Sequence, residues 1–540
     1  MATHEILNQP PPLSDYNLFS SDRALGEAAR REGAGWADVA LADFGARLGR
    51  AETIDWGFQA NHNPPVLRAF DRYGHRQDMV EFHPAWHALM ALGIGAGVHA
   101  APWEEPKPGA HVARAAAAFM LVQSESGVQC PITMTYGSVP ALRRQPEIAA
   151  EWLPRIFSRR YDKQFRPARE KTGALIGMAM TEKQGGSDLR SNSTRAVPDG
   201  GGYRLTGHKW FMSAPMCDAF LVLAQAPGGL TCFFMPRWTP DGDLNAIRLQ
   251  RLKDKLGNKS NASSEIELEV AWAQRIGDEG RGIPTIIEMG NYTRLDCAIG
   301  SAGIMRQAAA QAVHHAMHRS AFQRKLADQP LMTNVLADLA LEAEAAMVLA
   351  LRLARAYDRQ DDPAETAFRR LVTPAAKYWI CKRGPMLAAE AMEVLGGNGY
   401  VEESLMPRLY REAPVNSIWE GSGNIMCLDV LRALGRDGGA GEALRAELAA
   451  ARGADARLDR FAAALESDLA SSAGDEGAAR RLVERMVLAL QAALLVSGSP
   501  APIADAFCAS RLAGDWGHAF GTLPAAGGLR AIVDRASPTT

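Results

Sequence analysis

The sequence predicts an α+β protein: an N-terminal α-helical domain, a middle β-barrel, a four-helix bundle and an extra C-terminal helical domain. Three observations lead there. With 540 residues, the chain is longer than one hydrophobic core can serve and should divide into several domains. Its apolar period changes from helical to alternating near Leu175 and returns to helical after Pro284. The helical runs that follow are longer than ordinary globular helices and are joined by short connections, the pattern of a bundle. The expected divisions are an N-terminal extension (1–60), the N-terminal helical domain (61–174), the β-barrel (175–283), the bundle (284–435) and the C-terminal extension (436–540).

In chain order, the extension mixes a polar turn, Asn8-Gln9-Pro10-Pro11-Pro12, with a helical pattern over 38–48. Asn61 to Val66 breaks the pattern. From 83 to 153 it is mainly helical: His83-Pro84 opens one helix, and the alanine-rich stretch 110–125 makes another. Residues 130–136 read as a kinked apolar passage leading into a helix near 140–153. Strands are expected at 203–213 (a pair or one bulged strand), 220–224, 230–235, 247–252 and 264–270, each bounded by Gly, Pro or Asp. Several short strands at that spacing suit a small barrel. Helices then run over 285–322, 330–358, 363–382 and 385–395. Residues 408–412 read as a basic turn and 427–434 as a helix, and the tail carries helical patches at 444–452, 458–469 and 479–496.

Composition excludes several classes. A formal net charge of −2 advertises neither nucleic acid nor a membrane surface. Seven cysteines without a C-x-x-C pair suit reduced, buried thiols better than disulfides or zinc. No secretory signal and no apolar run of membrane-spanning length is present, so a soluble cytoplasmic protein with no membrane partner is expected. The absence of G-x-S-x-G, P-loop and post-strand G-x-G-x-x-G patterns argues against a serine hydrolase, an NTPase and a Rossmann dehydrogenase. His314, His315 and His318 share a helix, but without carboxylate–histidine spacing they read as a solvated face; no metal is expected.

Two stretches could carry chemistry. In 414–426, Glu420 is a lone carboxylate on a glycine-loosened loop just ahead of a helix. Glycines let the backbone approach a ligand, and free N–H groups at a helix start can face an anion or a flavin edge. Partly shielded beside Trp419, such a carboxylate suits proton abstraction; the plainer reading is a helix cap. In 177–188, adjacent glycines flanked by hydroxyls suit a phosphate or an isoalloxazine edge, or form a plain β-turn. Arg319 carries a guanidinium fork that matches a diphosphate, though many helix-terminal arginines are simply solvated. Gly396-Gly397-Asn398-Gly399-Tyr400 alone reads as a helix C-cap, and Trp210 with Phe211 alone as strand core.

Taken together, these stretches resemble the acyl-CoA dehydrogenase superfamily. Trp419-Glu420-Gly421-Ser422 is similar to its Tyr-Glu-Gly-Thr signature, Thr181 to Asp188 to its Thr-Glu-x-x-x-Gly-Ser-Asp loop, and Arg319 to Gln323 to its Arg-x-x-Phe-Gly element. Gly396 to Tyr400 resembles its Gly-Gly-x-Gly-Tyr element. The likeness narrows to the branch linked to the response to DNA alkylation, through Arg31-Glu32-Gly33-Ala34-Gly35-Trp36, Phe82 to His87, Lys253 to Asn258 and the Asn8 to Pro12 turn. The resemblance implies FAD, with Glu420 removing the substrate's α-proton. Met178, Met180, Thr181, Gly186 and Ser187, with Trp210, Phe211 and Ser213, would meet the flavin and its pyrophosphate. Trp419, Ser422 and Asn424 would meet the cofactor beside the base. Arg319, Gln329, Gly396 and Gly397 would reach a neighbouring subunit's cofactor, and the resemblance also implies a homotetramer.

Arg294 and Asn291 occupy the place of the family's Asp-x-x-Arg at the bound thioester. Asn291 replaces the acid, Trp419 the tyrosine, Ser422 the threonine and Gln323 the glycine, which points away from ordinary fatty acyl-CoA turnover. What the resemblance implies instead is weak dehydrogenation of a short branched acyl-CoA and binding of double-stranded DNA through the C-terminal domain. From residue 437 onward there are ten arginines, no lysine and thirteen acids, and 10 − 13 gives −3, so composition lends DNA no independent support. Arg480, Arg481 and Arg485 form the best local cluster, with Arg369-Arg370, Lys377, Lys382 and Arg383 as possible additions. Two alternatives stand: an ordinary acyl-CoA dehydrogenase of fatty acid or branched-chain amino acid catabolism, and a flavin-stabilised DNA-binding protein with a vestigial redox site.

Overall fold

The computed structural model describes residues 3–436, 438–471, 474–524 and 527–538. Asp437, counted among the tail acids, lies outside the described residues. The chain forms two compact units, one of residues 52–106 and 125–293, the other of 1–51, 107–124 and 294–540.

The first of these holds the barrel. A hairpin of β1 (Val66–Phe70) and β2 (Arg76–Glu81) precedes it. Its strands are β3 (Ile176–Ala179), β4 (Arg195–Asp199), β5 (Gly202–Ser213), β6 (Ala219–Ala226), β7 (Gly229–Pro236), β8 (Ile247–Leu252) and β9 (Ser263–Ile276). Hydrogen bonding runs β6-β4-β5-β9-β7 and returns from β7 to β6, so the ring closes; β3 adds to β6 and β8 to β9. Closure removes the free edges that an open sheet would expose. The interior strand β6 is apolar from Ala219 to Ala224 and buried throughout that run.

Two expectations change here. Residues 130–136 lie inside a helix, Gln129–Leu142, because Pro131 falls in its first turn, where no N–H is needed. A separate helix, Pro146–Ile156, follows. The hairpin of β1 and β2 was not expected. Its strands alternate without a strong apolar face, and its turn is organised by Asp71, whose Oδ1 accepts from the N–H groups of Tyr73 and His75.

The second unit is helical. Helix Pro330–Asp358 packs on Pro363–Val394 and on Ala110–Ser124, which is buried at every residue. Helix Gly282–His318 opens in the barrel unit and continues here. Gly303 lets it approach Ala110–Ser124 closely, since a side chain there would run into Val122 and Phe119. The break expected between 382 and 385 is absent: Pro363–Val394 is one helix with Pro374 and Pro385 inside it. Each internal proline costs about 3 kcal/mol, and burial of this helix among its neighbours offsets it. The expected turn at 408–412 is the end of a helix, Leu405–Glu412, capped by the Ser404 hydroxyl.

A short hairpin, β10 (Ser320–Ala321) with β11 (Arg324–Lys325), follows the long helix. Its two turn residues, Phe322 and Gln323, both take positive φ, 52° and 63°, as a tight type I′ connection requires. The tail helices Gly438–Ala449, Ala456–Ser471, Ala479–Gly498, Ala501–Phe507 and Leu529–Ala536 belong to the same unit. Buried Arg511 ties the tail to Asp338 and Glu342 of the helix Pro330–Asp358. Arg352 pairs with Glu447 at 2.7 Å, and Arg535 with Glu344 at 2.9 Å. All seven cysteines are free and buried. Among the described residues no helix is long and apolar enough to cross a membrane.

Candidate functional site

On the barrel unit, β3 hands over to the loop 180–188, and Trp210 N donates to Thr181 O at 2.8 Å, so the loop lies beside β5. A side chain at Gly186 would run into the Thr181 hydroxyl. Behind this surface Glu182 and Lys209, both buried, pair at 2.7 Å. Glu182 also accepts from the N–H and hydroxyl of Ser193 (2.6 and 2.9 Å) and of Thr194 (3.2 and 2.6 Å). Burial pushes the Glu182 carboxyl up, but the Lys209 charge and these donors outweigh it and hold the group below the usual carboxylate range.

The register of β5 against β9 shifts between Lys209 and Met212. A bulge of this kind breaks strict alternation. Lys209 and Met212 therefore point inward, while Trp210 is half-exposed and Phe211 exposed. The expectation that these aromatics would otherwise be strand core fails at this bulge. Lys253 Nζ lies 3.4 Å from the Trp210 ring centroid and 4.6 Å from that of Phe211. Met178 is buried in β3, Met180 and Thr181 are half-buried, and Ser187 is exposed. The Ser213 hydroxyl sits 3.3 Å from that of Ser263. Asn291 is half-buried on helix Gly282–His318.

On the helical unit, Glu420 sits between the turn 413–417 and helix Gly423–Arg436, with φ +59°, a conformation non-glycine residues seldom adopt. Gly421 follows at φ +104°. Three successive carbonyls of this loop are held by buried cations. Arg294 Nε donates to Glu420 O at 3.0 Å; Lys377 Nζ donates to Trp419 O at 2.7 Å and to Gly421 O at 2.5 Å. Arg294 is braced in turn by Asp429 at 3.0 Å, and Asp429 by Arg370 at 2.8 Å. Burial pushes the Cys297 thiol well above its ordinary value, with the Lys377 charge opposing. Trp419 is half-buried and donates through Nε1 to Asn416 at 2.9 Å. Ser422 and Asn424 are exposed at the start of the next helix.

Arg319 Nη1 donates to Asn8 O at 2.7 Å, and the Asn8 amide pairs both ways with the Ser320 backbone, each bond 2.7 Å. Gln329 Nε2 donates to Ala321 O at 3.0 Å. The N-terminal turn thus straps the hairpin that carries Arg319. Gly396 takes φ +60° directly after helix Pro363–Val394, and Gly397 is exposed beside it.

Several expectations are corrected. His314 and His315 are buried, not solvated, because the N-terminal segment covers their helix; His314 Nε2 contacts Pro11 O at 2.8 Å. Among the described residues no group of three His, Cys, Asp or Glu could hold a metal. Arg480, Arg481 and Arg485 share helix Ala479–Gly498 but differ in what they engage. Arg480 Nε donates to Asn424 at 2.9 Å, and half-buried Arg485 pairs with Asp468 at 2.5 Å over the Phe461 ring. Arg481 is exposed. Lys377 and Arg383 are buried inside the helices, and Arg370 braces Asp429, so these three do not extend a surface patch. In the sequence Lys377 reads only as a possible addition to the basic cluster, and neither Asp429 nor the pairing of Glu182 with Lys209 is recognised. Their only signal was charge inside apolar surroundings, such as Lys377 between Ala376 and Tyr378-Trp379-Ile380.

Comparison with known proteins identifies the family of the chain. The sequence matches the adaptive response protein AidB N-terminal domain over residues 8–163, the acyl-CoA dehydrogenase middle domain over 177–271 and the acyl-CoA dehydrogenase C-terminal domain over 280–435. It is 51% identical over 509 residues to AidB of Escherichia coli (strain K12), covering 94% of each chain. The structure resembles Caenorhabditis elegans ACDH-11 in complex with C11-CoA, with TM-score 0.84 and 28% identity, over 99% of this chain and 93% of that one. The fold is also that of a glutaryl-CoA dehydrogenase from Mycobacterium smegmatis in complex with FADH2, with TM-score 0.59 and 21% identity, over 78% of this chain and 98% of that one. A barrel faced with hydroxyls and aromatics, a braced glutamate loop and this extent of likeness have one common source: the chain belongs to the acyl-CoA dehydrogenase family, oxidoreductases acting on the CH–CH group of acyl-CoA, on the branch that carries the AidB N-terminal domain.

Proposed function

We propose that this protein is an FAD-dependent dehydrogenase that oxidises the Cα–Cβ bond of a short branched acyl-CoA at a modest rate, acting in the cytoplasm. The observation that carries the reading is Glu420, a carboxylate on a positive-φ hinge whose flanking backbone is tied by Lys377 and Arg294. Its role is that of the base that takes the substrate's α-proton. The barrel residues fit the cofactor. Hydroxyls at Thr181, Ser187 and Ser213 can donate to a diphosphate, and the outward Trp210 and Phe211 rings offer planar apolar surface to a flavin. When bound, FAD supplies the acceptor for the β-hydrogen, which leaves as hydride. Met180, Thr181 and Gly186 shape the rest of the barrel's contribution, with Met178 packed beneath them. Trp419 shields the base, while Ser422 and Asn424 present polar groups beside it; Asn291 and Arg294 stand on one helix in the place of the family's thioester contact.

Two finer parts of the proposal rest on likeness to AidB. The first is a homotetramer, in which Arg319, Gln329, Gly396 and Gly397 serve a neighbouring subunit's cofactor. Exposed apolar side chains on the helical unit support it: Phe322 is 92% exposed and Leu331 86%. The second is a role in the response to DNA alkylation with binding of double-stranded DNA through the tail, where Arg480 and Arg481 face solvent. A paired titration tests the whole reading. Purified protein is expected to be yellow, to bleach on adding isovaleryl-CoA, and to shift duplex DNA in a salt-sensitive way. Glu420→Gln should keep its FAD and lose bleaching by at least about a hundredfold; unchanged bleaching would remove Glu420 from the mechanism. A duplex shift indifferent to Arg480→Glu with Arg481→Glu would remove the tail from DNA binding.

A further inference from the structure

Lys377 lies in the middle of helix Pro363–Val394 and is 1% exposed. Its helical neighbours Val372, Ala376, Trp379 and Ile380 are all buried and apolar. A lysine there is expensive, since an ammonium taken out of water must be compensated, and a methionine would fill the same volume. Packing alone therefore does not explain the residue. Its two acceptors are peptide carbonyls, those of Trp419 and Gly421, at 2.7 and 2.5 Å. The residue between them is Glu420, held at φ +59°. A non-glycine residue in that region carries strain of order 1–3 kcal/mol unless its surroundings enforce it. Without Lys377 the peptide group before Glu420 and the one after Gly421 would lose their anchor, the hinge between them could relax out of the left-handed region, and the carboxylate would swing with it.

We propose that Lys377 is a positioning residue for the base: its buried ammonium clamps the backbone on both sides of Glu420 and so fixes where the carboxylate stands. The clamp is distinct from Arg294, which holds only the Glu420 carbonyl itself and is steadied from outside by Asp429. The chemistry needs this because misplacement of a reacting group by about 1 Å can cost a factor of about a hundred in rate. The inference rests on reading Glu420 as the base.

The test compares Lys377→Met, which keeps the volume and removes every donor, with Lys377→Gln, which keeps an N–H₂ donor. Two readouts are taken. The first is amide hydrogen exchange over 418–423 in protein without added acyl-CoA; the second is kcat and KM for flavin bleaching by isovaleryl-CoA. Expected is exchange about tenfold or more faster in Lys377→Met, confined to that loop, together with a kcat lower by about ten- to a hundredfold at a KM within about twofold of wild type. Lys377→Gln should fall between the two on both readouts. Loop exchange equal to wild type overturns the proposal. So does acceleration spread along the whole of helix Pro363–Val394, which would mark an ordinary packing role. If the wild-type protein fails to bleach, the reading of Glu420 fails, while the exchange comparison still decides the clamp; if Lys377→Met does not fold, the Lys377→Gln exchange pattern decides it.

Discussion

His111 takes no part in the proposed chemistry, yet it should govern how the helical unit responds to acid. It is buried at the start of helix Ala110–Ser124, and burial, with Arg114 and Arg369 adding, lowers its pKa from 6.5 to about 3. An unfolded chain would protonate this imidazole near 6.5, whereas the native one does not. Its contribution to stability is therefore complete above that value and is lost as pH falls toward 3, by about 1.4 kcal/mol per pH unit. His87 and His315, each lowered to about 4 chiefly by burial, act in the same direction. His111→Gln should narrow the drop in thermal midpoint between pH 7.5 and pH 5, and parallel midpoint curves for the two proteins would contradict it. The same residue scale shows what a sequence conceals. Glu420 was legible through the likeness of Trp419 to Ser422 to a family signature, since its own segment reads more plainly as a helix cap. Lys377 and the burial of His314 were not, since both depend on backbone brought from far along the chain, carbonyls of 419 and 421 in one case and Pro11 in the other.

At the scale of elements, the bulge in β5 breaks the alternation of an ordinary barrel strand at the surface proposed for the cofactor. It places Lys209 inward against Glu182 and leaves two consecutive aromatics facing out. Breaking such a buried pair by removing one partner costs about 3–5 kcal/mol, because the remaining charge is left unpaired. Lys209→Met should accordingly lower the barrel's thermal midpoint by several degrees and weaken FAD retention on gel filtration; the double variant with Glu182→Gln should recover part of both. A double variant no better than Lys209→Met alone would argue against the pair as the cause. Five strands of this barrel, β5 to β9, could be read from alternation and turn residues; the short β3 (Ile176–Ala179) and β4 (Arg195–Asp199) were missed. The irregularity of β5 was legible only as one of two alternatives, because nothing in Tyr203 to Ser213 distinguishes a bulged strand from two short ones; the structure shows one strand with two register shifts. Helix Pro363–Val394 failed in the opposite sense: Pro385 reads as a stop, and only tertiary burial carries the helix through it.

For the whole molecule, the question is what covers the apolar side chains left outside. Phe322 stands almost fully in solvent at the tip of a hairpin that the Asn8 side chain pins in place. Leu331 and Tyr400 are also strongly exposed on the helical unit. In a tetramer such residues become interface anchors, so Phe322→Asp should shift the mass measured by light scattering from four copies toward fewer and loosen the cofactor at the same time. A tetramer that persists with FAD fully retained would place the interface elsewhere. The tail, by contrast, is fastened rather than free, through Arg511, Arg352 and Arg535. Composition could not reveal this, since arginines that bind duplex DNA and arginines that rivet one helix to another are identical in a count.

The burial of every cysteine has a practical corollary. A thiol-reactive dye should find almost nothing to label in the native protein, so the rate at which colour develops becomes a clock for opening of the fold. The same property leaves the surface vacant for a single introduced cysteine, and with it a fluorophore, at any chosen point.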